Sequence, residues 1–373
     1  MPAEWESHRS TWLAWPHYRP DWPGKFEPIP WVYAEVVRHL ARHERVDLIV
    51  NDARSEKSAE SVLQRADALN PNIHFHRWPT DRVWTRDSGC TFVIARKSSN
   101  LSFRAERDSS LADHAPESGV CPELAEGNLA PSLCAISWRF NAWAKYPNWK
   151  EDAKLASRMA KSAKAAEIRP VCGKVPIVLE GGSIDVNGQG TLLTTEECLL
   201  SKVQQRNPQM TREDYESVFA EYLGIKKVIW LGKGIEGDDT HGHVDDLARF
   251  VGPATIVTML EAQPDVPNYE PLQENLRRLT SATDQSGKPL QIIGLPMPRP
   301  VIFAGRRLPA SYANFYMANG VVLVPVFNDP NDRIALNTLA DLFPDREIVG
   351  IYSGDLIWGF GAMHCMTQQQ PYI

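Results

Sequence analysis

The chain has 373 residues, of which 43% are hydrophobic and 23% are charged, and its formal net charge is −6. This composition is typical of a globular protein that is large enough to bury an extensive core. The acidic balance argues against a nucleic-acid surface, which needs a basic patch, and it suits a small cationic substrate. No apolar run approaches about 18 residues, so we expect no membrane span.

The N-terminus and the cysteines together predict a cytoplasmic protein. Residues 1–12 (MPAEWESHRSTW) contain early acidic residues and lack the basic and apolar regions of a signal peptide. The six cysteines show no CxxC spacing, so we expect reduced thiols and not a disulfide framework.

Helix-like and strand-like segments alternate along the chain, as judged from the spacing of apolar residues. In chain order they are a helix at 31–43, strands at 46–50 and 91–95, a helix at 151–166, strands at 227–231, 255–259 and 321–327, a helix at 333–343 and a strand at 348–352. The turn at 328–332 (NDPND) can cap the last helix. The alternation predicts an α/β or α+β fold with several sheets, each flanked by a helix.

Residues 183–195 (SIDVNGQGTLLTT) predict a β-hairpin within this series. Asn187 and Gly188 are suited to the positive φ angles of a type I′ turn, which joins two strands tightly.

Residues 97–134 depart from the alternation. They are rich in Ser, Ala, Pro and charged residues and show neither helical nor strand periodicity. We expect a flexible surface insertion, because long polar loops cost little stability. A lid over a substrate site is the alternative.

Two carboxylates stand out beside glycine-containing turns. Asp87 lies three residues after Trp84 in residues 84–89 (WTRDSG), where an acid most often bonds to its own backbone. Glu180 follows the apolar run 175–179 and precedes two glycines. A carboxylate at the end of a buried strand needs a charged partner, since burial of an unpaired charge is costly. Each residue can therefore serve either a functional site or a structural interaction.

Histidines and carboxylates are combined in residues 238–250 (DDTHGHVDDLARF). In an extended segment alternate side chains share a face, so His241, His243 and Asp245 would point the same way. Imidazole and carboxylate groups on one face are typical zinc ligands, and the pattern resembles the HxHxDH signature of metallo-β-lactamases. The match fails at Asp246, where that signature has histidine. A zinc hydrolase is therefore an alternative, and a site without metal is favoured.

Cys365 follows the glycine-containing segment 359–364 (GFGAMH), with His364 directly before it. A free cysteine is most often a packed thiol, whereas a thiolate nucleophile needs a group that lowers its pKa or transfers protons. Adjacent side chains of an extended segment point to opposite faces. If Cys365 is a nucleophile, we therefore expect a distant histidine, and not His364, to act with it.

In their order along the chain, these motifs resemble the agmatine deiminase family, which is closely related to the Porphyromonas-type peptidylarginine deiminases of the guanidine-modifying pentein superfamily. The motifs are WTRDSG at 84–89, EGGSIDVNGQGTLLTTEECLL at 180–200, THGHVDDLARFV at 240–251 and HCMTQQQP at 364–371. Further similar segments lie at 2–17, 139–146 and 314–332. The resemblance covers nearly the whole chain except 97–134. It implies a single domain over residues 1–373, folded as a five-bladed α/β propeller with pseudo-five-fold symmetry and a central active site.

The resemblance also implies a set of catalytic residues. They would be Cys365 as nucleophile, His243 as general acid and base, and Glu180 as the carboxylate that orients the histidine. The reaction would convert agmatine to N-carbamoylputrescine and ammonia through a covalent thiouronium on Cys365, as a step in putrescine synthesis. No metal or organic cofactor is implied.

The implied substrate-binding residues are Asp87, Asp245 and Trp84. A guanidinium is planar and cationic, so two carboxylates can each accept paired N–H donors from it. Asp87 and Asp245 would hold it in this way, and Trp84 would form a wall of the pocket.

Three motif variants leave the substrate open, because these loops shape the far end of the pocket. The chain has GFGA at 359–362 where relatives have GGGN, NAWAKY at 141–146 in place of NAWGG, and EGGSID at 180–185 in place of EGGSIH. Arginine, peptidyl arginine and other guanidines are therefore alternatives to agmatine. A non-catalytic binding protein of the same fold is a further alternative, which the presence of all five polar site residues opposes. Members of the family often form dimers or larger assemblies, so a homo-oligomer is allowed.

Overall fold

The computed structural model of the protein describes residues 1–95 and 131–373. The α-helices are α1 (Ile29–Leu40), α2 (Ala53–Arg65), α3 (Thr85–Ser88), α4 (Leu155–Ser162), α5 (Glu196–Leu200), α6 (Arg212–Val218), α7 (Tyr269–Ser281) and α8 (Pro330–Leu342). The β-strands are β1 (His8–Ala14), β2 (Arg45–Val50), β3 (Ile73–Arg77), β4 (Thr91–Ala95), β5 (Ser132–Ile136), β6 (Ala166–Ile168), β7 (Val171–Cys172), β8 (Val175–Pro176), β9 (Asp185–Val186), β10 (Thr191–Thr195), β11 (Lys227–Leu231), β12 (Ala248–Gly252), β13 (Thr255–Leu260), β14 (Gln291–Pro296), β15 (Ile302–Phe303), β16 (Arg306–Arg307), β17 (Tyr316–Ala318), β18 (Val321–Val326), β19 (Glu347–Tyr352) and β20 (Thr367–Pro371).

Five sheets within these ranges repeat one pattern, in which a strand has an antiparallel neighbour on one side and a parallel neighbour on the other. Their orders are β4-β5-β6, β9-β10-β11, β12-β13-β14, β17-β18-β19 and β20-β1-β2-β3. Parallel neighbours cannot be joined by a tight turn, and each such pair here is connected through at least one helix. The predicted mixture of helices and sheets is confirmed.

The boundaries of α8 follow from its sequence. The Asp329 carboxylate accepts a hydrogen bond from the backbone N–H of Asn331 at 2.9 Å, and Asp332 accepts one from the backbone N–H of Asp329 at 3.0 Å. Pro330 occupies the first turn, where no N–H is needed. This reciprocal capping confirms the predicted turn and contributes about 1 kcal/mol to the free energy of unfolding.

The six strands expected outside the hairpin are present as β2, β4, β11, β13, β18 and β19.

The helix predicted at 151–166 is too long. Residues Asp152–Lys154 form a separate 3₁₀ turn, α4 ends at Ser162, and Lys164 turns the chain with a φ of +53°. The apolar residues that extended the predicted pattern lead into β6, which begins at Ala166.

The predicted hairpin is present, because β9 and β10 pair antiparallel. The predicted type I′ turn is wrong, since the positive φ angles lie at Gly188 and Gly190 and not at Asn187. The side chain of Asn187 accounts for the difference. Its Oδ1 accepts hydrogen bonds from the backbone N–H groups of Gln189 and Thr191, both at 2.9 Å, and so closes a longer loop.

Most of the insertion predicted at 97–134 falls outside the described residues. The predicted C-terminal boundary at residue 134 is wrong, because β5 already begins at Ser132. This strand pairs antiparallel with β4 along its whole length, from Thr91 opposite Ile136 to Ala95 opposite Ser132.

Strand β18 shows how the core surrounds the sheets. Val321 and Leu323 belong to one buried apolar cluster, whereas Val322 and Val324 belong to another. Alternate residues of a strand point to opposite faces, so this sheet is buried on both sides. Burial of each such side chain stabilises the fold by about 1.5–3 kcal/mol. None of the helices in residues 1–95 and 131–373 has the length and apolar character needed to cross a bilayer.

Candidate active site

The predicted site residues lie in equivalent places in the repeated sheets. Each lies in the segment just before the strand that forms the antiparallel edge of its sheet. These residues are Asp87 before β4, Glu180 before β9, His243 and Asp245 before β12 and Cys365 before β20. Asn314, which was not among the predicted residues, lies in the same place before β17. Because the segments are short turns, the side chains leave the sheets at one shared location, although they are far apart in sequence.

The His243 ring lies at the centre of this group and is 1% exposed. Its Nδ1 lies 3.9 Å from an Asp87 oxygen and 4.0 Å from an Asp245 oxygen, while its Nε2 lies 3.7 Å from Glu180 Oε2. Burial opposes a charged imidazole, but the carboxylates of Asp87 and Glu180 and the nearby Cys198 thiol outweigh it and raise the pKa of His243 well above its usual value. The surrounding carboxylates therefore favour the imidazolium form of His243.

Glu180 is fully buried and is paired with Arg206, whose Nε donates to Glu180 Oε1 at 3.2 Å. Burial acts to raise the pKa of Glu180, but the charges of Arg206 and His243 lower it to about 2. The charged partner expected from the sequence is thus present, and it leaves Oε2 directed at the histidine.

Asp87 is held by two donors that fix its orientation. The indole Nε1 of Trp143 donates to one carboxylate oxygen at 2.8 Å, and the backbone N–H of Gly182 donates to the other at 3.0 Å. Burial and the charges of Asp245 and Glu180 raise the pKa of Asp87, although His243 opposes them. A cation placed beside this carboxylate would relieve the repulsion.

Asp245 belongs to a buried chain of polar contacts that includes His364. One Asp245 oxygen lies 2.6 Å from His364 Nδ1, and His364 Nε2 lies 2.9 Å from Glu4 Oε2. Burial opposes ionisation, but His364 and His243 lower the pKa of Asp245. Glu4 in turn pairs with Arg86 at 3.0 Å and Arg249 at 2.8 Å. His364 is therefore engaged at both nitrogens and is more than a flanking residue.

The Cys365 thiol lies against Asn314 and Asp245. Asn314 Nδ2 donates to the sulfur at 3.1 Å, and the sulfur lies 3.7 Å from the Asp245 oxygen that contacts His364. Asn314 Oδ1 also accepts the backbone N–H groups of His364 and Cys365, at 3.0 and 3.4 Å. Burial and the charges of Asp245, Asp246 and Asp87 raise the pKa of Cys365 well above its usual value.

Trp84 lies one turn before Asp87, whose backbone N–H donates to the Trp84 carbonyl at 3.2 Å. The indole is buried and packs 5.8 Å from the ring of Trp22. It also contacts the backbone of Gly361, where an added Cβ would lie 2.5 Å from the indole. Trp84 thereby supports the loop that leads to Cys365.

The extended segment on which the zinc hypothesis depended is absent. Residues Val244–Asp246 form a 3₁₀ turn, and His241 has a φ of +66°. The His241 ring lies 3.1 Å from Ser201 Oγ instead of joining His243. In the part of the chain that the structure describes, the one group of three donors that could hold a metal ion is Glu180, Cys198 and His243.

Several functional neighbours were missed in the sequence. Trp143 and Asn314 lie in segments that carry the family resemblance, so their motifs offered a signal. Cys198 lies in the motif at 180–200 and offered the same signal. Arg206 lies outside the motifs and offered none, because a residue of a buried ion pair looks ordinary in a sequence.

Gly182 leaves space between the two carboxylates and the histidine. An added Cβ would lie 2.6 Å from His243 Nδ1, 2.9 Å from an Asp245 oxygen and 3.0 Å from an Asp87 oxygen. We expect Gly182→Ala to lower kcat/KM by about 10²-fold or more, since displacement of about 1 Å at a reacting site has that effect. Gly252→Ala is the matched control, because its Cβ would meet only Thr255 at 3.7 Å. Equal kcat/KM values for the two variants would contradict a ligand site at Gly182.

Comparison with known proteins identifies the family. Residues 1–371 match the family profile described as Porphyromonas-type peptidyl-arginine deiminase. The chain belongs to this family. Two relatives, each named putative agmatine deiminase, align with the whole chain. The protein from Legionella pneumophila (strain Philadelphia 1) is 34% identical with 94% of its length covered, and the protein from Latilactobacillus sakei (strain 23K) is 35% identical with 95% covered.

Solved structures of similar proteins extend over the same length. The agmatine deiminase of Enterococcus faecalis aligns with a TM-score of 0.81 and 28% identity, covering 100% of this chain and 95% of that one. A putative arginine deiminase from Porphyromonas gingivalis aligns with a TM-score of 0.79 and 28% identity, covering 100% and 97%. The overall fold is therefore shared with both.

Proposed function

We propose that this protein is an agmatine deiminase, which hydrolyses agmatine to N-carbamoylputrescine and ammonia. The observation that carries the proposal is the convergence of Cys365, His243, Asp87 and Asp245 in one buried site. The names of the relatives from Legionella pneumophila and Latilactobacillus sakei support agmatine as the substrate.

The site has the charge and the open hydrogen-bond positions that a guanidinium needs. Within residues 1–95 and 131–373, Asp245 Oδ1 and His243 Nδ1 have no hydrogen-bond partner. Asp87 and Asp245 lie on the same side of the histidine, so a planar cation between them can donate to both carboxylates. Its charge would offset the burial and the repulsion that together raise the pKa of Asp87.

The same cation would activate the nucleophile. The charges of Asp245, Asp246 and Asp87 contribute to the raised pKa of Cys365, and a bound guanidinium neutralises part of that charge. Asn314 donates a hydrogen bond to the sulfur and favours the thiolate further. Substrate binding thereby favours loss of the thiol proton to solvent and generates the thiolate that attacks the substrate.

The chemistry proceeds in two balanced halves. The Cys365 thiolate forms a bond to the guanidinium carbon, and the C=N electron pair moves onto nitrogen. The His243 imidazolium protonates one nitrogen, which leaves as ammonia, so that a thiouronium remains on the sulfur. Water then attacks the same carbon while neutral His243 accepts one of its protons. The C–S bond of the resulting adduct breaks to release the thiolate, and the remaining hydroxyl proton passes to solvent or to the released ammonia, which leaves the neutral product.

Glu180 serves this cycle by holding His243. Its carboxylate faces Nε2 at 3.7 Å and is kept ionised by Arg206, so it stabilises the imidazolium. The opposite nitrogen, Nδ1, then faces Asp87 and Asp245, the carboxylates that bind the substrate, and it carries the transferred proton. Trp84 shapes the pocket through its contact with the loop before Cys365.

The repeated sheets suggest the architecture that brings these residues together. We infer that the single domain is a five-bladed α/β propeller with pseudo-five-fold symmetry, in which each of the five sheets is one blade. The equivalent position of the site residues before β4, β9, β12, β17 and β20 supports a central active site.

The raised pKa of Cys365 predicts how its alkylation depends on pH. In the free protein, the rate of carboxamidomethylation of Cys365 should still rise at pH values where ordinary thiols are already ionised. Asp245→Asn removes one source of the shift, so it should speed alkylation at neutral pH. Quantitative mass spectrometry of the Cys365 peptide measures both rates, with partly exposed Cys172 as the internal control. Equal reactivity of Cys365 and Cys172 at neutral pH would contradict this account.

Product analysis with a panel of substrates tests the proposed function. We expect ammonia and N-carbamoylputrescine from agmatine, with a kcat/KM at least tenfold above that for free arginine or an arginine-containing peptide. Citrulline formation at the higher rate would instead identify an arginine or peptidylarginine deiminase. Loss of activity on chelation would favour the zinc hydrolase, and no turnover of any guanidine would favour a non-catalytic binding protein.

A further inference from the structure

A group of possible metal ligands lies at Nε2 of His243, on the opposite side of the ring from Asp87 and Asp245. Glu180, Cys198 and His243 each direct one ligand atom toward the others, and all three atoms lie within 4.8 Å of one another. The three residues are 0%, 1% and 1% exposed. The group combines a carboxylate, a thiol and an imidazole, which are three of the side chains that bind zinc.

Two of these atoms lack any other partner. Glu180 Oε2 and His243 Nε2 face each other at 3.7 Å, and neither has a hydrogen-bond partner in the described part of the chain. Buried polar atoms are nearly always satisfied, so an unpartnered pair points to a bound species between them. The separation suits two ligands of one tetrahedral ion, since Zn–N and Zn–O distances are about 2.0–2.2 Å.

We propose that Glu180, Cys198 and His243 form a binding site for one borderline-soft divalent cation such as Zn²⁺, and that its occupancy inhibits the enzyme. Three protein ligands leave a fourth position for water. A thiolate, a carboxylate and a neutral imidazole balance the charge of the ion. Binding therefore transfers the Cys198 proton, and any proton on His243 Nε2, to solvent, so the site competes with protons.

The local fold holds the thiol ready for this role. Cys198 lies in the first turn of α5, and its backbone N–H donates to Thr195 Oγ1 at 3.0 Å. The same hydroxyl donates to the carbonyl of Gly242, the residue before His243, at 2.5 Å. Thr195 thereby links the segments that carry the two ligands, so little ordering is needed on binding.

Inhibition follows from the use of His243 Nε2 as a ligand, and this consequence rests on the proposed acid–base role of His243. A metal-bound imidazole cannot form the imidazolium that protonates the departing ammonia. Cys365 is outside the group, since its sulfur contacts Asn314 and Asp245. The proposed site therefore does not include the nucleophile. Because Cys365 is also a thiol and could bind a soft metal by itself, the test must separate the two cysteines.

Cobalt titration of the metal-free, reduced full-length protein tests the binding directly. Thiolate ligation of Co²⁺ produces a charge-transfer band in the near ultraviolet. We expect one Co²⁺ per chain and this band in the unmodified protein, in Cys365→Ala and in Cys172→Ser, a control for a partly exposed thiol. Cys198→Ala should lose the band and bind at least tenfold more weakly. Cys198→Ser keeps the side-chain size and should behave in the same way, and circular dichroism confirms that each variant is folded.

Two results would overturn the proposal. One is the absence of the band in the unmodified protein at millimolar Co²⁺, and the other is a band that survives in Cys198→Ala but disappears in Cys365→Ala. Inhibition is measured separately with agmatine, where Cys198→Ala should raise the inhibitory Zn²⁺ concentration at least tenfold relative to Cys172→Ser. An unchanged concentration would overturn the inhibitory role. If agmatine is not a substrate, the cobalt titration still decides whether the site exists.

Discussion

Cys365→Ala is expected to lower agmatine turnover by roughly 10⁴-fold or more, in line with the removal of other catalytic nucleophiles. The variant lacks the sulfur that forms the covalent bond, while Asp87 and Asp245 remain in place to bind the substrate. Calorimetry should therefore still detect agmatine binding to Cys365→Ala. Steady-state assays of ammonia release give the change in turnover.

Cys90→Ala is the matched control for this experiment. Cys90 is also a buried thiol of the same apolar cluster, so its loss creates a similar small cavity. We expect turnover in Cys90→Ala to stay within a few-fold of the unmodified protein. Turnover in Cys365→Ala that matches Cys90→Ala would rule out Cys365 as the nucleophile.

Substitutions of the two buried histidines, His243 and His364, are expected to have different effects. His243→Asn should lower kcat by about 10²–10⁴-fold, because the general acid and base is lost. His364→Ala should instead lower the free energy of unfolding by about 1–3 kcal/mol, since it removes the ring that hydrogen-bonds the buried carboxylates of Asp245 and Glu4. Thermal unfolding and steady-state kinetics of the same samples separate the effects. A kcat in His243→Asn near that of the unmodified protein would contradict its proposed role.

The motifs predicted much of the site because family resemblance assigns roles to positions that local patterns leave ambiguous. Cys365 by itself was compatible with a packed thiol, and His243 was compatible with a zinc ligand. The backbone excludes only the predicted set of ligands on one face, because the positive φ of His241 turns its side chain to Ser201. A left-handed conformation at a non-glycine residue depends on tertiary contacts that a single sequence does not reveal.

The networks behind the site could not be predicted, because their members are remote in sequence. His364 contacts Glu4, 360 residues away, and Asp245, 119 residues away. Alternation along an extended segment predicts that His364 and Cys365 point to opposite faces, yet both residues contact the same oxygen of Asp245. Alternation describes regular strands, and Cys365 lies in the turn before β20.

Phe360, where this chain differs from the related motif, is explained in part by the structure. It has a left-handed φ of +68°, which costs a non-glycine residue roughly 1–2 kcal/mol. The Arg306 guanidinium lies 4.0 Å from the centre of its ring, and this cation–π contact offsets part of the cost. Arg306 also pairs with Asp239 at 2.9 Å.

Rapid acid quench of the unmodified protein with agmatine, followed by mass spectrometry, tests the central claim most directly. The claim is that Cys365 becomes covalently bonded to the guanidine carbon during turnover. We predict a transient adduct on the Cys365 peptide with the mass of agmatine less ammonia, absent from the peptide that contains Cys198. Ammonia release without this adduct at any quench time, or an adduct on a different residue, would contradict the account.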